Sequence, residues 1–266
     1  MYAAYQLASP GTAPNASIFI SRASLVEIQH AEVGRKFATI DRRPLDPPPS
    51  ALLKLYTNDG GVENEVDSSN PLAGVGRLCV VDLFPASQKD YEGAVNAEPT
   101  KTRGELSPTR GSSGSSTSSQ SKQPSSTAPA GGPVVQIIDD ESIYESMKLT
   151  MYLVGQREVS PTVAHWRGEK HLIFAFGDLS IQREGRFFLR YRTFDLQTPG
   201  DEHVVDAECT GRTFRVYSTK DFPGLATSTE LTKELALRGA SVNVRVHDRK
   251  RPRNEGEETQ GLGQED

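Results

Sequence analysis

The sequence predicts a mainly β fold: a β-sandwich of short strands with one or two short helices, interrupted by a long disordered insertion. Three observations predict it. At least seven segments show period-two alternation or short apolar runs closed off by Gly, Pro, Asp or Asn. A single segment, around residue 230, carries a marked helical signature. From about residue 96 to 133 the chain turns to Ser, Thr, Gly and Pro with almost no large apolar side chains, too little buried surface to offset the entropy of ordering.

Taken in order, residues 26–28, 53–55, 78–83, 147–151, 187–194, 214–216 and 242–246 read as strands, and their irregular connections suit a sandwich. Within 187–194, side chains alternate across the sheet, so Phe187, Leu189 and Tyr191 share one face and Phe188, Arg190 and Arg192 the other. The second face is basic. It is either an open patch or a solvated face on which arginine stems cover the aromatic ring.

The helix is read with Thr227 as its N-cap and Glu230 three residues later, a capping box. Leu231 and Leu235 lie on one side of it, and Gly239 supplies the terminating position just before the strand at Val242. Leu231 and Leu235 pack on the sandwich or, in a second reading, form an interface for a partner protein.

Strand-like sequence on both sides of the Ser-rich segment makes it a loop inserted into one domain, since closing a long loop costs only logarithmically more with length. The expected organisation is a flexible start (1–16), one domain (17–247) interrupted at 96–133, and a tail (248–266), first basic, then acidic. A chain of 266 residues buries a substantial core in a single domain.

The formal charge is −5, from 30 basic and 35 acidic residues. Residues 254–266 hold Glu255, Glu257, Glu258, Glu265 and Asp266 with no Lys or Arg, so the remainder balances at 30 against 30. Local basic patches therefore matter more than the total. Cys79 and Cys209 are too few for a disulfide framework or a four-cysteine zinc site and read as reduced core thiols. No apolar run approaches the roughly 20 residues that span a bilayer, and no secretion signal is visible, so a soluble intracellular protein with no membrane partner is expected.

Enzymatic signals are weak. His30, His165, His171, His203 and His247 lack the spacing of a helical zinc site, and Gly74-Val75-Gly76 lacks the third glycine and following helix of a dinucleotide fingerprint. No nucleophile elbow or Walker phosphate loop occurs either. The expectation is no catalysis, no metal, no cofactor and no small-molecule substrate.

Two basic clusters stand out. The run Asp41-Arg42-Arg43-Pro44-Leu45-Asp46-Pro47-Pro48-Pro49 joins two arginines to a stiff proline rail, which holds the segment open without sheet or helix hydrogen bonds and presents Arg42 and Arg43. With Arg35 and Lys36, and only Asp41 opposing, residues 35–43 carry +3. A guanidinium fork suits a phosphate or the edge of guanine, so this loop can both anchor and read DNA. The second cluster is Arg245, Arg249, Lys250, Arg251 and Arg253, opposed only by Asp248. Arg249, Lys250, Arg251 and Arg253 read as a nuclear-import signal, a DNA patch or a solvated tail. The acidic end beyond them could fold back on these arginines and weaken nonspecific DNA binding.

The DRRPLDPPP run, the strand that follows it at 51–56, Gly76-Arg77-Leu78, FAFGDLSIQREGRFFLRYRTFDL at 174–196 and FPGLATSTELTKELALRGASVNVRV at 222–246 together resemble the velvet-domain family of fungal regulatory proteins. The resemblance covers most of the chain between residues 17 and 247. It implies an immunoglobulin-like sandwich similar to the Rel-homology DNA-binding domain, and a nuclear transcription regulator, shuttling with the cytoplasm, that controls development, sporulation and secondary metabolism. It also implies homo- or heterodimers with another velvet protein. Arg42 and Arg43 match the family's DNA-contacting loop directly and Arg35 and Lys36 loosely, whereas Ala31-Glu32 and residues 37–40 depart from its more basic, glycine-containing run. Two functions follow: a DNA-binding regulator or, alternatively, an interaction module that pairs with another velvet protein without contacting DNA.

Overall fold

The structure is a computed structural model that describes residues 20–37, 42–97, 132–197, 204–247 and the backbone of 249–250. The expected flexible start, most of the expected insertion and most of the tail lie outside the described residues. The first half of the chain forms β1 (Arg22–Gln29), β2 (Val33–Arg35), β3 (Ser50–Asp59), β4 (Val62–Glu65), β5 (Arg77–Pro85) and helix α1 (Gln88–Asn96). After the insertion come β6 (Val134–Ile138), β7 (Glu141–Tyr144), two 3-10 turns (Glu145–Met147 and Thr150–Tyr152), β8 (Leu153–Val154), β9 (Glu158–Val159), β10 (Thr162–Trp166) and β11 (Glu169–Ala175). The chain closes with β12 (Ser180–Ile181), β13 (Gly185–Asp195), β14 (Val205–Thr210), β15 (Phe214–Tyr217), β16 (Gly224–Leu225), helix α2 (Glu230–Leu237) and β17 (Arg249–Lys250).

Two sheets face each other. One runs β1-β3-β11-β10 with β4 added to β3; the other runs β2-β15-β13-β5-β9 with β14 also on β13. The inward residues of β3 (Ala51, Leu53, Leu55) and β11 (Leu172, Phe174) meet Cys79, Val81 and Leu83 of β5 and Phe187, Leu189 and Tyr191 of β13 in one core. Each large side chain so buried contributes about 1.5–3 kcal/mol. A polar tie joins the sheets as well: the Tyr191 hydroxyl donates to Glu27 at 2.8 Å, and burial pushes the Glu27 carboxyl above its ordinary range.

The two faces of β13 fall as the alternation requires, but the basic face is neither open nor solvated. Phe84 stacks on Phe188 with centroids 5.5 Å apart, and Ile143 and Met147 close a second small core over them. The expected strand at 147–151 is replaced by the two 3-10 turns. Met147 and Leu149 are both buried, yet in different cores, which side chains two apart on one strand face could not reach.

Two further expectations change. Segment 242–246 belongs to no sheet among the described residues; it is tied to the 225–228 segment by a reciprocal pair, Ser228 N–H to Arg245 O and Arg245 N–H to Ser228 Oγ. The N-cap of α2 is Thr229, not Thr227: its Oγ accepts from the Thr232 N–H at 3.1 Å and its hydroxyl donates to Gln29 at 2.6 Å. Gly239, at φ +86°, sits just past the helix end as expected.

Leu231 and Leu235 are buried against Ala164 and Ile173 on the outer face of the first sheet. The helix is thus spent on its own domain, which corrects the reading of these leucines as a partner interface; Leu237 is the exposed leucine of α2. The sequence reading allows a second short helix but does not place it at α1. Its signal was present in Ser87 and Asp90: the Ser87 side chain accepts from the Asp90 N–H at 3.1 Å and caps the helix.

Candidate nucleic-acid interface

The proline run is braced rather than held open. Asp46 forms an antiparallel bridge with Val33, the Leu45 N–H donates to Leu179 O at 2.7 Å, and the Gln29 side-chain amide donates to Pro48 O at 2.8 Å. Pro48, Pro49 and Leu45 are buried. Gly34 lies close beneath this brace, where a Cβ would meet the end of the Leu45 side chain at 2.8 Å and make it shift. The expectation of a segment without sheet hydrogen bonds is therefore corrected: rigidity comes from the neighbouring strands as much as from the rings.

This bracing distributes the expected basic residues unequally. Arg42 is exposed and donates to the carboxylate of Asp178, and to its backbone oxygen at 3.1 Å. Lys36 reaches Glu184 at 3.3 Å. Arg43 is half-buried, its backbone oxygen accepting from Ser180 Oγ at 2.9 Å. Arg35 lies inside, only 9% exposed, because β2 runs parallel to β15 with Arg35 opposite Tyr217. It is not on display as the sequence suggested. Asp41 lies outside the described residues.

The second cluster arrives at the same edge. Arg245 donates to the Asp46 carboxylate and, through Nε, to Ala226 O at 3.1 Å. Burial holds the Asp46 carboxyl above its ordinary range despite this guanidinium. In the backbone register, Arg249 pairs with Leu225 and Lys250 with Gly224, so the start of the tail is stitched to the domain. Arg251 and Arg253 lie outside the described residues. Between the two clusters is a cavity of about 400 Å³ lined by Arg43, Leu45, Asp46, Leu225, Val244 and Arg245, among others. Sequence reasoning placed Arg43 and Arg245 in separate motifs and did not foresee that they share a cavity.

The face carrying Arg190 and Arg192 is built differently. Arg190 reaches Asp82 at 2.9 Å and Glu145 at 3.0 Å, and Arg192 reaches Asp82 at 2.7 Å. Lys148 adds contacts to Glu145 at 2.8 Å and Asp82 at 3.6 Å. Burial alone would raise the Asp82 carboxyl, but the Arg190 hydrogen bond and the charges of Arg192 and Lys148 outweigh it and hold it below the carboxylate range. The Arg190 hydrogen bond likewise lowers Glu145. Elsewhere, burial pushes both thiols up, Cys209 to about 12.

The two-sheet β domain gathers cationic segments from both halves of the chain at one braced edge. Sequence comparison shows which family it belongs to. The velvet factor family model matches residues 23–249, and the chain belongs to the velvet family. It is 39% identical over 256 residues to a probable velvet family sexual development regulator of Laccaria bicolor, covering 89% of this chain and 73% of that one. A second probable regulator of the same description, from Schizophyllum commune, is 40% identical over 232 residues, covering 84% of this chain and 72% of that protein. Velvet complex subunit 2 of Gibberella moniliformis is 33% identical over 86 residues, 29% of this chain and 19% of its own length.

Proposed function

We propose that this velvet family member is a nuclear transcription regulator that binds DNA through the proline-braced edge, as a homodimer or with another velvet protein, in the control of fungal development. Control of sporulation and secondary metabolism belongs to the same reading. The observation that carries it is the convergence of Arg42 and Arg43 with Arg245 and the backbone of Arg249 and Lys250, some 200 residues later in the sequence, on one edge. Lys36 borders it. Arginine forks on a rigid support suit phosphate and guanine, and a dimer doubles the number of contacts. The velvet complex name of the Gibberella relative supports pairing between velvet proteins. The basic cluster at 249–253 supports nuclear import.

The test is an equilibrium DNA-binding titration of the whole chain and of the Arg42→Ala/Arg43→Ala double variant across a salt series. Every phosphate that the variant no longer neutralises should flatten the slope of log affinity against log salt by about 0.9. Affinity should fall together with the slope. Binding that persists with an unchanged slope would falsify this assignment of the site.

A second reading, pairing with another velvet protein without touching DNA, is favoured by the carboxylates already engaged at the edge: Asp178 with Arg42, Glu184 with Lys36 and Asp46 with Arg245. The same titration with a paired velvet protein present distinguishes the two. DNA binding by the partner alone, unaltered by this chain, would favour the second reading.

A further inference from the structure

The cavity at the braced edge has a shape and lining that DNA contact by its arginines does not account for. Its volume, about 400 Å³, falls in the range of ligand sites. Its lining combines two arginines, Arg43 and Arg245, with the apolar residues Leu225 and Val244, which are half-buried and exposed, while Leu45 beneath them belongs to the core. Asp46 occupies part of the donor capacity of Arg245, but a guanidinium carries five N–H donors, more than the contacts to Asp46 and Ala226 consume. Val244 is 44% exposed and belongs to a segment in no sheet among the described residues. Such a site suits an acidic peptide that carries an apolar side chain.

The chain supplies one. Residues 254–266 contain Glu255, Glu257, Glu258, Glu265 and Asp266, no Lys or Arg, and a single large apolar residue, Leu262. The last described residues before them lie close to the cavity. Arg249 pairs with Leu225, itself a wall of the cavity, and Lys250 pairs with Gly224. The four residues after Lys250 span at most about 14 Å, so chain length allows the acidic run to reach the cavity. We propose that the cavity is the docking site for residues 254–266 of the same chain, with carboxylates on Arg43 and Arg245 and Leu262 against Leu225 and Val244. This is a more specific placement than a general electrostatic fold-back onto residues 249–253. Its regulatory consequence, that the docked segment screens the edge from DNA, rests on the DNA-binding reading; the docking itself does not.

The experiment uses the full chain with the photo-crosslinker p-benzoylphenylalanine in place of Leu262, without DNA. Illumination should join position 262 to Leu225 or Val244, identified by peptide mass spectrometry. The crosslinks should fall at least several-fold at about 1 M salt, where the Debye length is about 3 Å, and in a chain that also carries E255Q, E257Q, E258Q, E265Q and D266N. Crosslinks confined to 249–253, scattered over the surface, or indifferent to both changes would overturn the proposal. Mixing isotopically heavy and light chains adds a control: heavy-to-light products would assign the cavity to a second copy, and the same-chain docking would be wrong. If position 262 crosslinks as expected while Arg42→Ala/Arg43→Ala leaves DNA binding untouched, the DNA-binding reading alone fails. If DNA binding drops in that variant and no cavity crosslink forms, the docking alone fails.

Discussion

Two arginine-rich regions of this molecule look alike in the sequence and differ in the structure. On the outer face of β13, the Arg190 side chain is 7% exposed beside an Asp82 side chain that is 8% exposed. At the braced edge, Arg42 and its partner Asp178 are 33% and 44% exposed. Both are guanidinium–carboxylate contacts. In the first region the charges are removed from water, so they interact strongly and would be costly to leave unpaired. In the second, water and salt screen the pair, which is worth only about 0–1 kcal/mol. A guanidinium held so weakly can exchange its carboxylate for a phosphate at little cost, whereas Arg190 cannot leave without abandoning Asp82 and Glu145. The comparison teaches that counting arginines locates basic sequence but not basic surface.

The largest effect that sharpens this contrast is expected from Arg190→Ala. Removing the shared cation leaves Asp82 with Arg192 and Lys148 and Glu145 with Lys148, and should destabilise the fold by up to about 3–5 kcal/mol in urea unfolding. DNA affinity per folded molecule should not change. A loss below about 1 kcal/mol would break the contrast by showing that the buried network behaves like a surface pair.

Acid should reveal the same network more gently. The folded-state carboxyls of Asp82 and Glu145 lie below their ordinary values, so their stabilisation is fully present above the unfolded-state pKa values near 4 and is lost as pH falls through the folded ones. Urea unfolding from pH 7 to pH 3 should show that loss, and Arg190→Ala should have a shallower acid limb because the main cause of the lowering is gone. Equal acid limbs in the two proteins would count against it.

The smallest expected effect is at the edge. Asp178→Asn should shift stability by no more than about 1 kcal/mol, while freeing Arg42 to tighten DNA binding a few-fold at low salt. Weaker binding in this variant would mean that Asp178 orients Arg42 for its contact rather than competing for it.

Much of the fold was legible because strand alternation is a local property. The faces of β13, the strands at β3 and β5 and the glycine that ends α2 all follow from residue order and backbone geometry. Errors arose where a local signal had two outcomes. Alternation at 147–151 reflects two buried anchors, Met147 and Leu149, that serve different cores across a turn. Alternation at 242–246 found no ladder among the described residues. Thr227 and Thr229 both precede Glu230 within capping distance, and the contact of Thr229 with Gln29, 200 residues away, accompanies the observed choice. In the candidate site, Arg42 and Arg43 could be named from the sequence, but the burial of Arg35 and the meeting of Arg43 with Arg245 could not.

The order of residues alone determined a β-rich chain, the two-faced pattern of its central strand, a proline-stiffened basic loop and an acidic stretch at 254–266. Only the tertiary structure decided which cations are sealed against carboxylates and which face solvent. Alternation and backbone stiffness arise between neighbours a few positions apart. Burial is set by whatever packs from elsewhere, as when Asp82 meets Arg190 across 108 residues, and removal from water is what turns the same ion pair from a surface contact into part of the core.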